Sequence, residues 1–243
     1  MTQAVTAVRV VSLVPSVTET LLSWGVVPIA VTRFCEQPGL PAVGGTKDPD
    51  VGAVAALAPD LVVMNDEENR REDADALRAT GVAVHVVHLE TLEDVEPAMA
   101  TLAERLELPH PPARPGLRPT PAAAPRLAAF VPIWRRPWMT LNARTYGSSL
   151  LATVGVDNVY GSASDRYPQV TLEEAADRRP DVVLAPSEPY PFRSRHTAEL
   201  AAVAPVTFVD GQDLFWWGAR TPQAQLRLRR QMADLARSIS SRG

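Results

Sequence analysis

Cysteine is almost absent: Cys35 is the only one in 243 residues, which excludes an internal disulfide and any cysteine-rich metal site. Histidine is nearly as scarce, with four in the chain. His85 and His88 stand three apart on a predicted strand and so point to opposite faces, which argues against a shared metal. His110 and His196 complete the set, and a structural or surface role is expected for all four. There is no excess of positive charge. The formal net charge is −4 and the sequence pI about 5.6, and no basic stripe marks a nucleic-acid surface. Long apolar runs are missing too; stretches such as Val10–Val14 are far too short to span a bilayer. The N-terminus lacks a basic region followed by an apolar core and a small-residue cleavage site. As written, the chain reads as cytoplasmic, or as one whose leader and anchor have been removed. Catalytic signatures are wanting as well: there is no G-x-S-x-G, H-E-x-x-H, Walker A or G-x-G-x-x-G. Gly44-Gly45-Thr46-Lys47 has the look of a phosphate loop, but it lacks the flanking spacing and runs into Asp48-Pro49.

What is present is a phrase written twice. Ala55–Met64 reads AALAPDLVVM, and Ala175–Pro186 reads AADRRPDVVLAP. Each is a helix end, a Pro-Asp turn and a β-branched strand, and their recurrence about 120 residues apart implies two lobes of similar build. In the first half, strands are expected at Val8–Val14, Pro28–Thr32, Leu61–Met64 and Ala83–Val87. Helices are expected from Ser16 to Gly25, at Val51–Leu57 and from Asn69 to Gly81, the first opened by a capping box, Ser16-Val17-Thr18-Glu19. The second half repeats the alternation. Its strands are Leu127–Pro132, Asn158–Tyr160, Val182–Ala185 and Val206–Val209. Its helices are Thr145–Val154, one opened by the capping box Thr171-Leu172-Glu173-Glu174, Ser194–Ala202 and Gln223–Ser238. Leu226, Leu228, Met232 and Leu235 would form the apolar face of the last. Between the halves, Leu92–Leu106 is helical and Pro109–Pro125 carries seven prolines, which suits an extended strap and not a helix. The fold class is therefore α/β: two Rossmann-like lobes with a central cleft, joined by a helix and a Pro-rich strap. The lobes span 1–90 and 126–243, with the connector at 91–125, and 46% hydrophobic residues can fill their cores.

Aromatics make up only 6% of the chain, yet they gather in loops. Trp134, Trp138, Tyr167, Tyr190, Phe192, Phe215, Trp216 and Trp217 follow predicted strands or lie in Pro/Gly-rich connections. Some of these belong in a core; several around one cleft would form flat walls for a bulky planar ligand. Arg33, Arg135 and Arg136 supply cations suited to carboxylates, amides or phosphate. The acidic run Asp66-Glu67-Glu68, with Glu72, Asp73 and Asp75, has two compatible readings. It favours a helix N-terminus, and it follows the carboxyl end of a strand, where open α/β sheets bind ligands.

The phrase Arg9-Val10-Val11-Ser12-Leu13-Val14-Pro15-Ser16, followed by Thr18-Glu19-Thr20-Leu21, resembles the opening of substrate-binding proteins for cobalamin and iron-siderophore ABC importers, the helical-backbone metal receptors. The likeness continues through Arg33-Phe34-Cys35, Val43–Lys47, Pro59–Val63, Glu67–Arg70, Trp134–Trp138, Pro180–Leu184 and Ser187–Phe192, leaving out the strap. It implies two α/β lobes joined by one long, stiff helix, a ligand held between them, no resident cofactor and no chemistry. On that likeness Pro15, Ser16, Arg33, Phe34, Cys35, Gly45, Thr46, Lys47, Asn65, Glu67, Glu68 and Asn69 face the ligand from the first lobe. Trp134, Arg135, Trp138, Ser187, Glu188, Tyr190, Phe192, Trp216 and Trp217 face it from the second. No side chain is expected to serve as a resident metal ligand. Docking on an ABC permease would use a carboxylate from each lobe, with Glu72 and Glu199 in plausible regions. The chain departs from the family in its N-terminus and in its short, Pro-rich connection.

The leading expectation is a monomeric, non-enzymatic receptor for cobalamin or a related chelate (a corrinoid, haem or a ferric siderophore). A second reading is a cytoplasmic enzyme or cofactor-handling protein on the same frame, with Arg33, Cys35, Lys47, Glu67 and Glu68 as its reactive groups. A third is a protein-interaction module, which would show an exposed apolar patch in place of a ligand site.

Overall fold

The structure, a computed structural model, describes residues 8–108 and 126–241; the Pro-rich strap lies outside them. The described chain divides into two compact units. The first holds the residues up to Leu89, the segment from Glu93, and Trp217–Arg220; the second holds Glu90–Leu92, the residues from 126 to Trp216, and those from Thr221 onward. The helix expected between the halves thus packs with the first unit.

The first unit runs β1 (Val10–Ser12), α1 (Pro15–Ser23), β2 (Ala30–Val31), α2 (Val51–Ala56), β3 (Leu61–Asn65), α3 (Arg71–Ala79), β4 (Val84–Val87) and α4 (Val95–Arg105). The second runs β5 (Leu127–Phe130), α5 (Tyr146–Thr153), β6 (Val156–Asn158), α6 (Leu172–Asp177), β7 (Val182–Pro186), α7 (Thr197–Leu200), β8 (Val206–Val209), α8 (Gly211–Phe215) and α9 (Thr221–Ser240). All strand pairs are parallel, and the orders are β2-β1-β3-β4 and β6-β5-β7-β8. The two sheets therefore have one topology, each reversing direction between its first and third strands. Both are covered on both faces. Val11, Val62 and Met64 pack against Val54 and Leu77 of α2 and α3, while Val10 and Val63, one residue out of phase, are also fully buried. Continuous apolar strands are the signature of such sheets.

The doubled phrase has one physical cause in both units. Ala58 and Arg179 have positive φ, 45° and 51°, just before the prolines, a left-handed residue that ends the helix. The aspartate that follows then pairs with the start of the neighbouring strand. Asp60 accepts from Arg9 N–H at 2.8 Å, and Asp181 accepts from Ala128 N–H at 2.8 Å.

Two local expectations need correcting, and one helix went unforeseen. The Ser16 capping box does not form. Pro15, with its preset φ, takes the first helical position, Val14 is the cap residue without a side-chain bond, and Glu19 instead pairs with Arg220 at 2.8 Å. The Thr171 box does form, with both reciprocal bonds. On α9 Leu226 is 45% exposed, and the buried stripe is Ala224, Gln225, Leu228, Met232 and Ala236. Helix α8 was not foreseen. Its five residues are too few to show a period, and Asp210 caps it through Gln212 and Asp213 N–H.

Candidate functional site

In the first unit the loops after β1 and β3 adjoin at the sheet's reversal point, where ligands of open α/β sheets bind. Asn69, 5% exposed, locks them together. Its amide donates to Leu13 C=O at 3.1 Å and Thr46 C=O at 2.8 Å, and its Oδ1 accepts from Asn65 N–H at 2.8 Å. Asn65 is spent in the same way: Nδ2 donates to Val87 C=O, and Oδ1 accepts from Glu67 and Glu68 N–H. Both asparagines, expected to face a ligand, hold the loop that carries Glu67 and Glu68. Ser16 is buried in the first turn of α1, and its hydroxyl has no partner among the described residues. An unmatched donor beside the N–H groups at a helix start suits an acceptor atom on a ligand.

Residues 44–49 form a tight turn closed by a bridge between Gly44 and Pro49. Gly44 has φ +90°, and a Cβ on Gly45 would fall 2.4 Å from Asp48 Oδ1 and 2.7 Å from Arg33 Cζ. Gly44 is the position that requires glycine, since a Cβ there would fall 2.4 Å from Asp48 C=O; the Arg33–Asp48 pair beside the turn is bonded at 2.9 and 3.1 Å. Arg33 also lies over the ring of Phe34, 4.8 Å from its centroid, with Phe34 half exposed. Lys47 donates to Glu67 C=O at 2.6 Å, joining the glycine turn to the acidic loop. Asp48 went unrecognised from sequence, although an aspartate three residues after Gly45 is its signal. Cys35 is buried, with Sγ 3.2 Å from the hydroxyls of both Thr18 and Thr32. Enclosed in this way, it is a poor nucleophile for the enzyme reading.

In the second unit, two loops follow the central strands β5 and β7. The first, Ile133–Met139, is a short hairpin; the second runs from Ser187 to His196. They bring five rings together. Trp134 meets Tyr190 edge-on at 5.7 Å, Trp138 stacks on Phe192 at 5.9 Å and 6°, and Tyr190 lies 4.8 Å from Phe192. His196 closes the group at 5.5 Å from Tyr190 and 5.6 Å from Phe192. Arg135 lies over Trp138 and bonds Glu199 at 2.9 Å. Trp134 is 44% exposed and Phe192 is buried, so the cluster has an open aromatic edge on a packed base. The second loop is anchored behind: Ser187 Oγ accepts from Gly211 N–H at 2.9 Å, and a Cβ on Gly211 would lie 2.5 Å from Glu188 N.

The expected residues thus separate. Trp134, Arg135, Trp138, Tyr190 and Phe192 form one cluster, while Arg33, Phe34, Gly45, Thr46, Lys47, Glu67 and Glu68 border linked loops of the other unit. Trp216 is half-buried. Trp217 is 4% exposed and is grouped with the first unit. Glu72 is exposed in the first turn of α3, whereas Glu199 is held by Arg135. His196, set aside in the sequence as structural, is the ring that sequence reasoning missed. His88 pairs with Asp66 at 2.5 Å. No group of three or more His, Cys, Asp or Glu among the described residues is arranged around a metal position.

Two histidines have their pKa lowered from 6.5. For His85 the cause is burial, then Arg105; for His196 it is burial, then Arg195 and Arg135. Below about pH 6.5 the unfolded chain takes up protons that these rings refuse in the fold, so the contribution to stability is complete above that pH and declines below it. Denaturation midpoints measured from pH 8 to 5 are expected to fall in the acid half of the range.

No family profile matches the chain. A vitamin B12-binding protein of Vibrio campbellii is 24% identical over 194 residues, covering 74% of this chain and 70% of that protein. Among solved structures, the periplasmic vitamin B12-binding protein of Vibrio cholerae superposes with a TM-score of 0.77 at 21% identity, covering 95% of this chain and 98% of the other. A periplasmic heme-binding protein of Pseudomonas aeruginosa also gives 0.77, at 20% identity, over 92% and 91%. These structures establish the fold as two α/β lobes. No helix among the described residues is long and apolar enough to cross a membrane.

Proposed function

We propose that this chain belongs to the cobalamin-binding-like family of ABC-importer substrate-binding proteins and is a non-enzymatic receptor for a metal chelate of the cobalamin or heme type. The observation that supports this most is the aromatic cluster of the second unit. Its exposed Trp134 edge, backed by Tyr190 and flanked by Arg135, offers what a large, flat, partly charged ligand requires. The metal travels as part of the cargo and the protein needs no resident cofactor. In the first unit, Arg33, Phe34, Lys47, Glu67 and Glu68 supply polar and aromatic contacts, and Asn65 and Asn69 hold the loops that present them. Permease docking falls to Glu72 and Glu199, a carboxylate from each unit, with Glu199 also bonded to Arg135 of the aromatic cluster. Fractionation of the native host decides where the protein resides.

Titration of the protein with cyanocobalamin, hemin and ferric siderophores, followed by tryptophan fluorescence, tests this reading. One class is expected to bind saturably, and Trp134→Ala to weaken it by about 1–3 kcal/mol without lowering the melting temperature. An unchanged affinity in that variant removes the wall from the site.

A further inference from the structure

We infer that His196 is a positioning residue whose neutral ring keeps the aromatic cluster of the second unit assembled, so that acidification loosens the cluster and weakens ligand binding. The binding half of this statement rests on the receptor reading above; the loosening does not.

Both ring nitrogens of His196 face a neighbouring group. His196 is 5% exposed. Its Nδ1 accepts the N–H of Arg193 at 3.0 Å, which requires that nitrogen to carry no proton. The neutral ring then carries its proton on Nε2, which can donate to Tyr190 Oη at 3.5 Å; Arg195 Nε, itself a donor, lies 3.3 Å from the same nitrogen and cannot bond it in this tautomer. Protonation puts a hydrogen on Nδ1 where the Arg193 N–H now points, and two donors then oppose each other. The bond lost is the side-chain half of a reciprocal pair between Arg193 and His196, whose backbone half is His196 N–H to Arg193 C=O at 2.8 Å, and with it goes the side-chain tie between the loop carrying Tyr190 and Phe192 and the start of α7.

The charges facing the ring decide whether this happens in a useful range. Arg195 on its own turn and Arg135 from the Ile133–Met139 hairpin oppose protonation, and Glu199 of α7 favours it; Tyr190 and Phe192 contribute neutral rings. Burial adds to the opposition, so the pKa lies below 6.5. The cluster is therefore intact near neutrality and yields on the acid side.

Near-UV circular dichroism of the ligand-free protein from about pH 8 to pH 5 tests the inference, because the stacked Trp138–Phe192 pair reports on the cluster. Wild type is expected to lose signal with a midpoint below 6.5. His196→Asn keeps an acceptor without a titrating group and is expected to give a flat profile. Arg195→Gln removes an opposing charge and is expected to move the midpoint to higher pH. This second variant keeps the test decisive if the first fails to fold. Cyanocobalamin affinity, measured on the same proteins, is expected to fall about fivefold or more from neutral to acid in wild type and to stay level in His196→Asn. A flat wild-type dichroism profile, or a midpoint that Arg195→Gln leaves in place, overturns the inference. If the dichroism titrates as described and no chelate binds at any pH, it is the receptor reading that fails.

Discussion

Trp217→Ala is expected to cost about 3–5 kcal/mol of stability, the range for emptying a large aromatic site in a core. The ring is 4% exposed, and the segment that carries it is tied into the first unit at several points. Ala219 N–H donates to Thr20 Oγ1 at 3.0 Å, Arg220 pairs with Glu19 at 2.8 Å, and a Cβ on Gly218 would fall 2.3 Å from Thr20 Oγ1. A backbone pinned at these points limits how far the chain can move to fill the space that an alanine leaves. Urea denaturation measures the loss. A variant that melts like wild type but no longer binds a chelate would return Trp217 to the ligand wall where sequence reasoning put it.

Asn69→Ala is the second large effect, about 3 kcal/mol, because it strands three polar groups at once. Asn65 N–H and the carbonyls of Leu13 and Thr46 all lose their partner, and each buried group left unmatched costs about 1–3 kcal/mol, less where water reaches it. The damage should be local as well as global, since this side chain joins the loops after β1 and β3 to the glycine turn. Amide hydrogen exchange is expected to quicken at Asn65, Glu67 and Glu68 more than in β1 or β3 themselves. Uniform quickening would mean that Asn69 holds the whole sheet instead of its loops.

Much of this molecule was legible before any coordinates. The Pro-Asp phrase announced a doubled unit because it encodes a specific device: a left-handed helix end, a proline that stops the helix, and a carboxylate reaching the adjacent strand. Asp60 and Asp181 perform it with the same 2.8 Å bond. Apolar runs located the buried strands because parallel sheets covered on both faces need no alternation. Other features were hidden for physical reasons. Ser16 and Glu19 have the spacing of a capping box, but a proline one residue earlier claims the helix start. Trp217 sits among loop aromatics in the sequence, and only the tertiary packing buries it. Asn65 and Asn69 look like ligand groups because the same amide chemistry that recognises a ligand also satisfies a backbone. His196 gave no sign, since a lone histidine in a turn acquires meaning only from the rings around it.

The central claim is that this protein carries a chelate and transforms nothing. Native mass spectrometry of the protein purified from its own host, with an absorption spectrum of the same sample, tests it most directly. The account predicts a bound mass accompanied by corrinoid, haem or ferric-siderophore bands. A colourless protein that carries no ligand, and that also ignores cyanocobalamin, hemin and ferric siderophores in titration, would contradict it.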